Sequence, residues 1–317
     1  MHVITRNHRP AQPRMQSGIA LVLALWVLAL LSVIAGSLVF SSRTEILMAG
    51  NLASLAQAEA LADAGVSMAI HELARPPTDL QRWKGDGMTH LWNYQGARLR
   101  VTILDESAKI DLNFAPTVLL KGLFRTLGVA ESDADALADA VADWRDPDDL
   151  RSLHGAEKAD YAAAGRAYGP ANAPFETIDE LRQVLGMSDD LFRKLEMLVT
   201  VHSRQPGVNT AVAQREVLLA LPGATPEQVD VLLEQRRILL EQGLPAPAFP
   251  GLQGLSAGAS GQVFSIQVEA VLSDNVRFFR EAAVRLIANV KGPVTFLAWR
   301  APTGNFGSAA TASVTVN

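Results

Sequence analysis

The sequence predicts an α+β protein. A long N-terminal helix packs on an antiparallel sheet, and a large all-α domain is inserted between the strands. Three observations predict this. An uncharged apolar run from Ile19 to Phe40 continues as a helical pattern to Leu73. Segments of alternating apolar and polar residues occur at 97–104 and again at 263–287. Most of the chain between them carries helical periodicity and helix-capping residues.

The apolar run IALVLALWVLALLSVIAGSLVF is long enough to cross a bilayer as one helix. Small and apolar residues persist beyond it, through Met48, Leu52, Leu55, Ala56 and Leu61 to Ile70 and Leu73. From Arg43 to Leu73 there is no proline, and the only glycines are Gly50 and Gly65. Leu52, Leu55, Ala56, Leu61, Ala62, Val66, Ala69, Ile70 and Leu73 recur at three- and four-residue spacing, the pattern of a helix with one buried face. Pro76-Pro77 ends it. At ~1.5 Å per residue, Ile19 to Leu73 would span roughly 80 Å, part anchor and part core. Gly36 and Gly50 are either bending points or simply tolerated.

Charge sets the topology. Arg6, Arg9 and Arg14 precede the run; Arg43 and Glu45 follow it. The basic excess puts the N-terminus in the cytoplasm and everything after Phe40 across the membrane, in the periplasm for a bacterial chain. Hydropathy alone fits a plain signal anchor equally well. A secretory signal, however, ends in a small-x-small site after its apolar run, whereas the good processing site here, Gly18, precedes it.

Ala97 to Leu104 reads as a half-buried strand with Leu99, Val101 and Ile103 on one side. Val263–Leu272 and Val276–Ile287 read as two more, joined by the turn residues Ser273-Asp274-Asn275. In the insert, Ser132 with Asp135 and Thr177 with Glu180 read as capping boxes. Asn209-Thr210 can cap a helix holding Val212, Val217, Leu218 and Leu221. Thr225-Pro226 with Gln228 opens another, with Val229, Leu232 and Leu233 inward. A stretch from Leu244 to Gly261, rich in Pro, Gly, Ala and Ser, returns the chain to the sheet. Residues after Pro302 are small and polar and read as loose.

Two features of the insert carry chemical possibilities. The helix–Pro222-Gly223–helix unit resembles a helix-hairpin-helix, in which backbone N–H groups meet phosphate. The following helix opens with Glu227 and Asp230, and Arg236 and Arg237 come only later, so a packing unit is the better reading. The second feature is Asp143, Asp146, Asp148 and Asp149, with Glu157 and Asp160 beyond. Hard oxygens crowded on a loop that Pro147 keeps out of helix suit calcium. A solvated acidic helix end, or ion pairs from Asp146 to Arg145 or Arg151, is the plainer alternative. The spacing is not that of an EF-hand.

Composition narrows the function classes. A net charge of −5 argues against a general nucleic-acid surface. The absence of cysteine excludes disulfides, thiolate zinc sites and a lipoprotein anchor. No H-E-x-x-H, G-x-S-x-G or P-loop pattern occurs, and the six histidines are scattered, so a non-catalytic role is expected.

Arg14, Gln16, Ser17 and Gly18 followed by Ile19 resemble the type IV pilin-like proteins, whose prepilin peptidase cuts after a glycine on the cytoplasmic side. Most of that family carries glutamate five residues into the mature chain, where this chain has Leu23. The exception is the K-type minor pseudopilins of type II secretion systems, which are also unusually large. The segments DESAKIDLN, ADWRDPDD, HGAE, FETIDELRQVLGM and GVNTA are similar to theirs.

The resemblance implies a pilin-like fold divided into a prepilin leader at 1–18, a transmembrane part at 19–42 and a stem with first strand at 43–107. An inserted α-helical domain would follow at 108–250, returning strands at 251–302 and a flexible tail at 303–317. It implies a tip subunit that helps start a secretion pseudopilus. The partners implied are I- and J-type minor pseudopilins, the major pseudopilin, the inner-membrane secretion machinery and prepilin peptidase, and no nucleic acid. It implies calcium in the insert, held by some of Asp143, Asp146, Asp148, Asp149 and Glu157. The implied location is the inner membrane, single-pass, with the bulk periplasmic and at the pseudopilus tip after assembly. The rival readings are a minor pilin of a type IV pilus or DNA-uptake system, and a signal-anchored periplasmic enzyme.

Processing follows directly. Cleavage between Gly18 and Ile19 leaves the amine on Ile19, and intact-mass measurement of the membrane-extracted protein checks it. A retained Met1 or a cut near Gly36 contradicts it; methylation of the new amine is implied by the resemblance alone.

Overall fold

The computed structural model describes residues 17–317 except 77, 80, 243, 245, 248, 250–254, 256–261, 287–293, 302–312 and 316–317. The basic leader with Arg6, Arg9, Arg14 and Gln16 therefore lies outside the described residues, as does most of the 244–261 return. The chain forms two compact units, divided between Ala56 and Gln57.

The first unit is helical. Helix α1 runs over Ser17–Ala74, and its residues 19–53 are exposed throughout. This stretch is long and apolar enough to cross a membrane. The hydroxyls of Ser32 and Thr44 donate to the carbonyls of Leu28 and Phe40 one turn back, so neither requires water. Leu52 and Leu55 are exposed too, although the periodicity predicted burial.

In the second unit, the rest of α1 buries Ala58, Leu61, Ala62, Val66, Ala69 and Leu73 against a six-stranded sheet. The strands are β1 (Asp86–Tyr94), β2 (Ala97–Asp105), β5 (Val263–Val271), β6 (Arg277–Arg285), β7 (Thr295–Arg300) and β8 (Ser313–Thr315), in the order β7-β6-β5-β2-β1-β8. All neighbours are antiparallel except β8, which runs parallel to β1. The end of the chain is thus partly strand, where composition predicted looseness. Gln95 and Gly96, at φ 48° and 79°, close the β1–β2 hairpin with the doubly positive geometry that matches strand twist.

Small residues let α1 lie close. A Cβ at Gly65 would stand 2.7 Å from Val268 Cγ1, so only glycine fits there without displacement. Val268 faces Val101 on one side and Arg280 on the other, and that rung lies under the helix. Arg280, 5% exposed, donates to Asp63 at 2.6 Å and Glu59 at 2.7 Å on α1. Its guanidinium lies 5.0 Å from the rings of Phe278 and Trp299.

Between β2 and β5 lies the insert: α2 (Thr117–Thr126), α3 (Glu131–Arg145), α4 (Lys158–Ala163), α5 (Asp189–Leu195), α6 (Arg215–Leu219) and α7 (Pro226–Glu241). Two-residue strands β3 (Ile110–Asp111) and β4 (Val199–Thr200) pair in parallel. The insert has its own apolar core, which includes Leu119, Leu123, Phe124, Val141, Trp144, Tyr161, Phe192 and Val217.

The predicted box at Thr177–Glu180 forms and opens a 3-10 turn, and the helix start read at Thr225-Pro226 with Gln228 forms as a capping box. Ser132 does not cap: α3 starts one residue earlier, behind Ala130. Asn209 caps only a turn at Ala211, and α6 begins later, behind Gln214.

The motif after β2 joins the two layers. Asp105 accepts from Ser107 N–H at 2.9 Å. Glu106, 2% exposed, accepts from Lys109 Nζ at 2.7 Å and from the hydroxyls of Ser265 on β5 and Thr200 on β4. Burial pushes the Glu106 carboxyl up, but the Lys109 charge and these hydrogen bonds outweigh it and hold it below the usual range. Asp111, fully buried, accepts from Ser203 Oγ at 3.0 Å, Arg204 N–H at 2.8 Å and Asn113 N–H at 2.9 Å. Asn113 exchanges two hydrogen bonds with the Phe175 backbone.

Candidate metal-binding loop

The acidic residues singled out in the sequence gather around the loop between α3 and α4. Asp143 sits in the last turns of α3 and is fully buried. Both its oxygens accept from Ser152 N–H at 3.2 Å, which folds the loop back over the helix end. A Cβ at Gly155 would stand 1.9 Å from Asp143 Oδ2, so the backbone passes the carboxylate where no side chain fits. His154 N–H is held by Asp139 at 3.1 Å.

The ion pairs that would have explained the cluster do not form. Arg145 donates to the carbonyls of Leu112 and of Ala115 (2.8 Å), tying α3 to the start of α2. Arg151 pairs with Asp160 at 3.1 Å. Asp160 in turn accepts from Glu157 N–H at 2.9 Å and caps α4.

What remains is uncompensated charge. Asp146 Oδ1 is buried without a hydrogen-bond donor, and Glu157, only 7% exposed, meets backbone N–H groups at the start of α4 but no cationic side chain. Burial, then the charges of Asp148 and Asp143, push the Asp146 carboxyl up. Burial, then the charges of Asp143, Asp146 and Asp149, push Glu157 up; the nearby Lys158 N–H offsets this only in part. Glu157 thus feels the charges of Asp143, Asp146 and Asp149, and Asp146 those of Asp148 and Asp143.

Asp148 stands close to Asp146 but lends Oδ1 to the Leu150 N–H at 2.8 Å, in a turn. No three acidic or histidine side chains among the described residues are already drawn into a ligand cage. The donor set is nonetheless all hard oxygen, as calcium takes, and neither Asp146 nor Glu157 is paired with a cationic side chain.

Sequence reasoning missed Asn172. Its Nδ2 donates to Asp149 at 3.0 Å, and its Oδ1 is buried without a donor beside the cluster. The one hint is its place between Pro170 and Pro174 in a loop, and it takes up φ 48°.

The hairpin at Pro222-Gly223 behaves as a packing unit. A Cβ at Gly122 would lie 2.1 Å from the Ala220 carbonyl, so α2 and α6 are pressed together beside it. This brings in Lys121 and Arg125, which the sequence did not place there. Lys121 is paired with Asp135 and Glu131, and Arg125 with Glu131. Gln228 and Thr225 cap the start of α7 reciprocally. The local charge is thus largely balanced, and phosphate binding finds no support.

The processing and assembly positions lie on α1. Ser17 and Gly18 begin the helix, Ile19 and Leu23 are exposed, and the first turn holds no acidic residue.

An exposed apolar N-terminal helix running onto a mainly antiparallel sheet, with an α domain between strands, defines a pilin-like architecture of the large, inserted kind. Residues 101–204 match the family Type II secretion system (T2SS), protein K. The chain is 30% identical over 259 residues to the Type II secretion system protein K of Klebsiella pneumoniae, covering 74% of this chain and 75% of that protein. It is 29% identical over 245 residues to the protein of the same name from Pseudomonas aeruginosa, covering 70% and 73%. The fold matches a chain in the crystal structure of the GspK-GspI-GspJ complex from the enterotoxigenic Escherichia coli Type 2 Secretion System. That match has a TM-score of 0.52 and 19% identity, over 83% of this chain and 99% of that one. The chain belongs to the type II secretion system protein K family, the K-type minor pseudopilins.

Proposed function

We propose that the chain is a non-catalytic minor pseudopilin that caps the tip of the type II secretion pseudopilus and helps initiate its assembly for export across the outer membrane. Leu23 carries this reading. In a helix packed among others in hydrocarbon, a carboxylate at this position would neutralise the N-terminal amine of a neighbour, because an unpaired charge there is costly. Leu23 offers none. The chain can supply its own amine to a neighbour's carboxylate, but cannot dock on a subunit above in that way. A first subunit requires only that. The insert between β2 and β5 would also obstruct a subunit stacked over it.

The similar structure comes from a complex of GspK with GspI and GspJ, so I- and J-type minor pseudopilins are the proposed partners, with the major pseudopilin and the inner-membrane machinery below. Prepilin peptidase would cut at Gly18–Ile19, and α1 would anchor the chain in the inner membrane as a single pass with its bulk in the periplasm. Nucleic acid is not among the proposed partners. Co-purification of the chain with each pseudopilin tests the assignment, together with gold labelling of fibres. Binding to the I and J types and label at fibre ends are expected. Binding to the major pseudopilin alone, or label along whole fibres, contradicts it.

Calcium is proposed as a structural ion at the α3–α4 loop. Asp143, Asp146, Asp149 and Glu157 would hold it, with Asp148 and the Asn172 amide oxygen beside them. The ion would supply the positive charge that Asp146 and Glu157 lack and would keep the loop folded over Asp143. The full chain in detergent should then melt higher in calcium than in a chelator, by about 2.7 kcal/mol at a hundredfold excess over Kd. Glu157→Gln removes one of the repelling charges. It should raise the melting temperature in chelator and shrink the gain from calcium. Equal midpoints with and without calcium would assign the cluster to a solvated helix end.

A further inference from the structure

The same loop presents Leu150 and Leu153. Among the described residues of the second unit they are the most exposed large apolar side chains, at 78% and 82%. Their exposure follows from how the backbone is tied. Leu150 N–H donates to Asp148, Ser152 N–H to Asp143 and His154 N–H to Asp139. The loop's N–H groups are thus anchored to carboxylates, and the two leucines project outward.

We propose that Leu150 and Leu153 form an apolar knob that docks into an apolar cleft on a protein partner rimmed by lysine or arginine. The charge around the knob selects this partner. Residues 139–160 hold seven Asp or Glu against three Lys or Arg. Of those three, Arg145 is committed to backbone carbonyls and Arg151 to Asp160. One divalent cation in the loop leaves the rim acidic. Such a rim repels an anionic lipid surface and attracts a basic one. The knob supplies the buried centre of a small contact, and Asp148 and Asp149, both exposed, supply its rim. The inference rests on the calcium reading above only in that the cation would hold the loop in this shape.

The test uses the full chain in cells lacking their own copy, with Leu150→Ser and Leu153→Ser combined. Because both side chains lie in solvent, the purified variant in detergent should melt like the parent, with the same response to calcium. Secretion into the medium should fall by roughly tenfold or more, since the contact loses its anchors. A photo-crosslinker at position 153 should give one discrete protein adduct, and Asp148→Lys, which leaves the four proposed calcium ligands in place, should sharply reduce it. Normal secretion by the folded variant overturns the proposal, as does an adduct undiminished by charge reversal. Calcium-dependent sedimentation of the parent with phosphatidylglycerol vesicles, lost in the double variant, also overturns it by making lipid the occupant. If calcium raises the melting point of neither form, the metal reading fails, and the secretion result still decides the knob.

Discussion

The buried ion pair of Glu106 and Lys109 is the constraint on which the rest of the second unit depends. β2 and β5 are neighbours in the sheet, yet the whole insert lies between them in sequence. At the point where the chain leaves β2, Glu106 gathers Lys109, Ser265 of β5 and Thr200 of β4 onto one carboxylate. Taking two charges out of water is costly, and apolar residues would hold the layers as well. What the pair adds is direction. It is satisfied in one arrangement of insert and sheet, and leaving either partner alone in the interior is strongly unfavourable. Residues 57–317 accordingly form one compact unit, although sheet and insert have separate apolar cores.

A second use of charge appears at the α3–α4 loop, with the opposite logic. At Glu106 every lone charge is answered from within the chain. Around Glu157 and Asp146 it is not, because Arg145 and Arg151 are engaged elsewhere. The hairpin beside α2 completes the contrast, since Lys121 and Arg125 are both answered by acids. Of these three places, the loop alone leaves buried carboxylates without a cationic side-chain partner. A metal there would act on the shape of the insert's surface, in keeping with an assembly subunit whose business is contact.

Much of the fold was legible because its signals are local. Strand β2 alternates along its whole length and β5 from Ile266 onward, β6 was legible through the turn at Ser273-Asp274-Asn275, and α1 keeps its three- and four-residue spacing down to Leu73. Strands β1 and β7 were missed because each is only half buried along its length, so neither carries an alternating pattern. Leu52 and Leu55 fit the helical stripe yet stay exposed, since periodicity marks a face and not what covers it. The acidic cluster was visible as composition. Which of its members lack partners was not, because that depends on Arg145 reaching the carbonyls of Leu112 and Ala115. Lys121 and Arg125 escaped for the same reason: α2 meets the hairpin with Gly122 pressed against Ala220, nearly a hundred residues away in sequence. DESAKIDLN stood out as a resemblance, and its role as the joint became clear only once Thr200 and Ser265 were in place.

The most direct test of that joint is calorimetry of the full chain in detergent carrying Glu106→Gln, alone and with Lys109→Met. The account predicts that Glu106→Gln, which strands a buried lysine charge, costs about 3 kcal/mol and separates the unfolding of insert and sheet into two transitions. Adding Lys109→Met should recover much of the loss, because the stranded charge is gone. A single transition at the parent's temperature in Glu106→Gln would contradict the account.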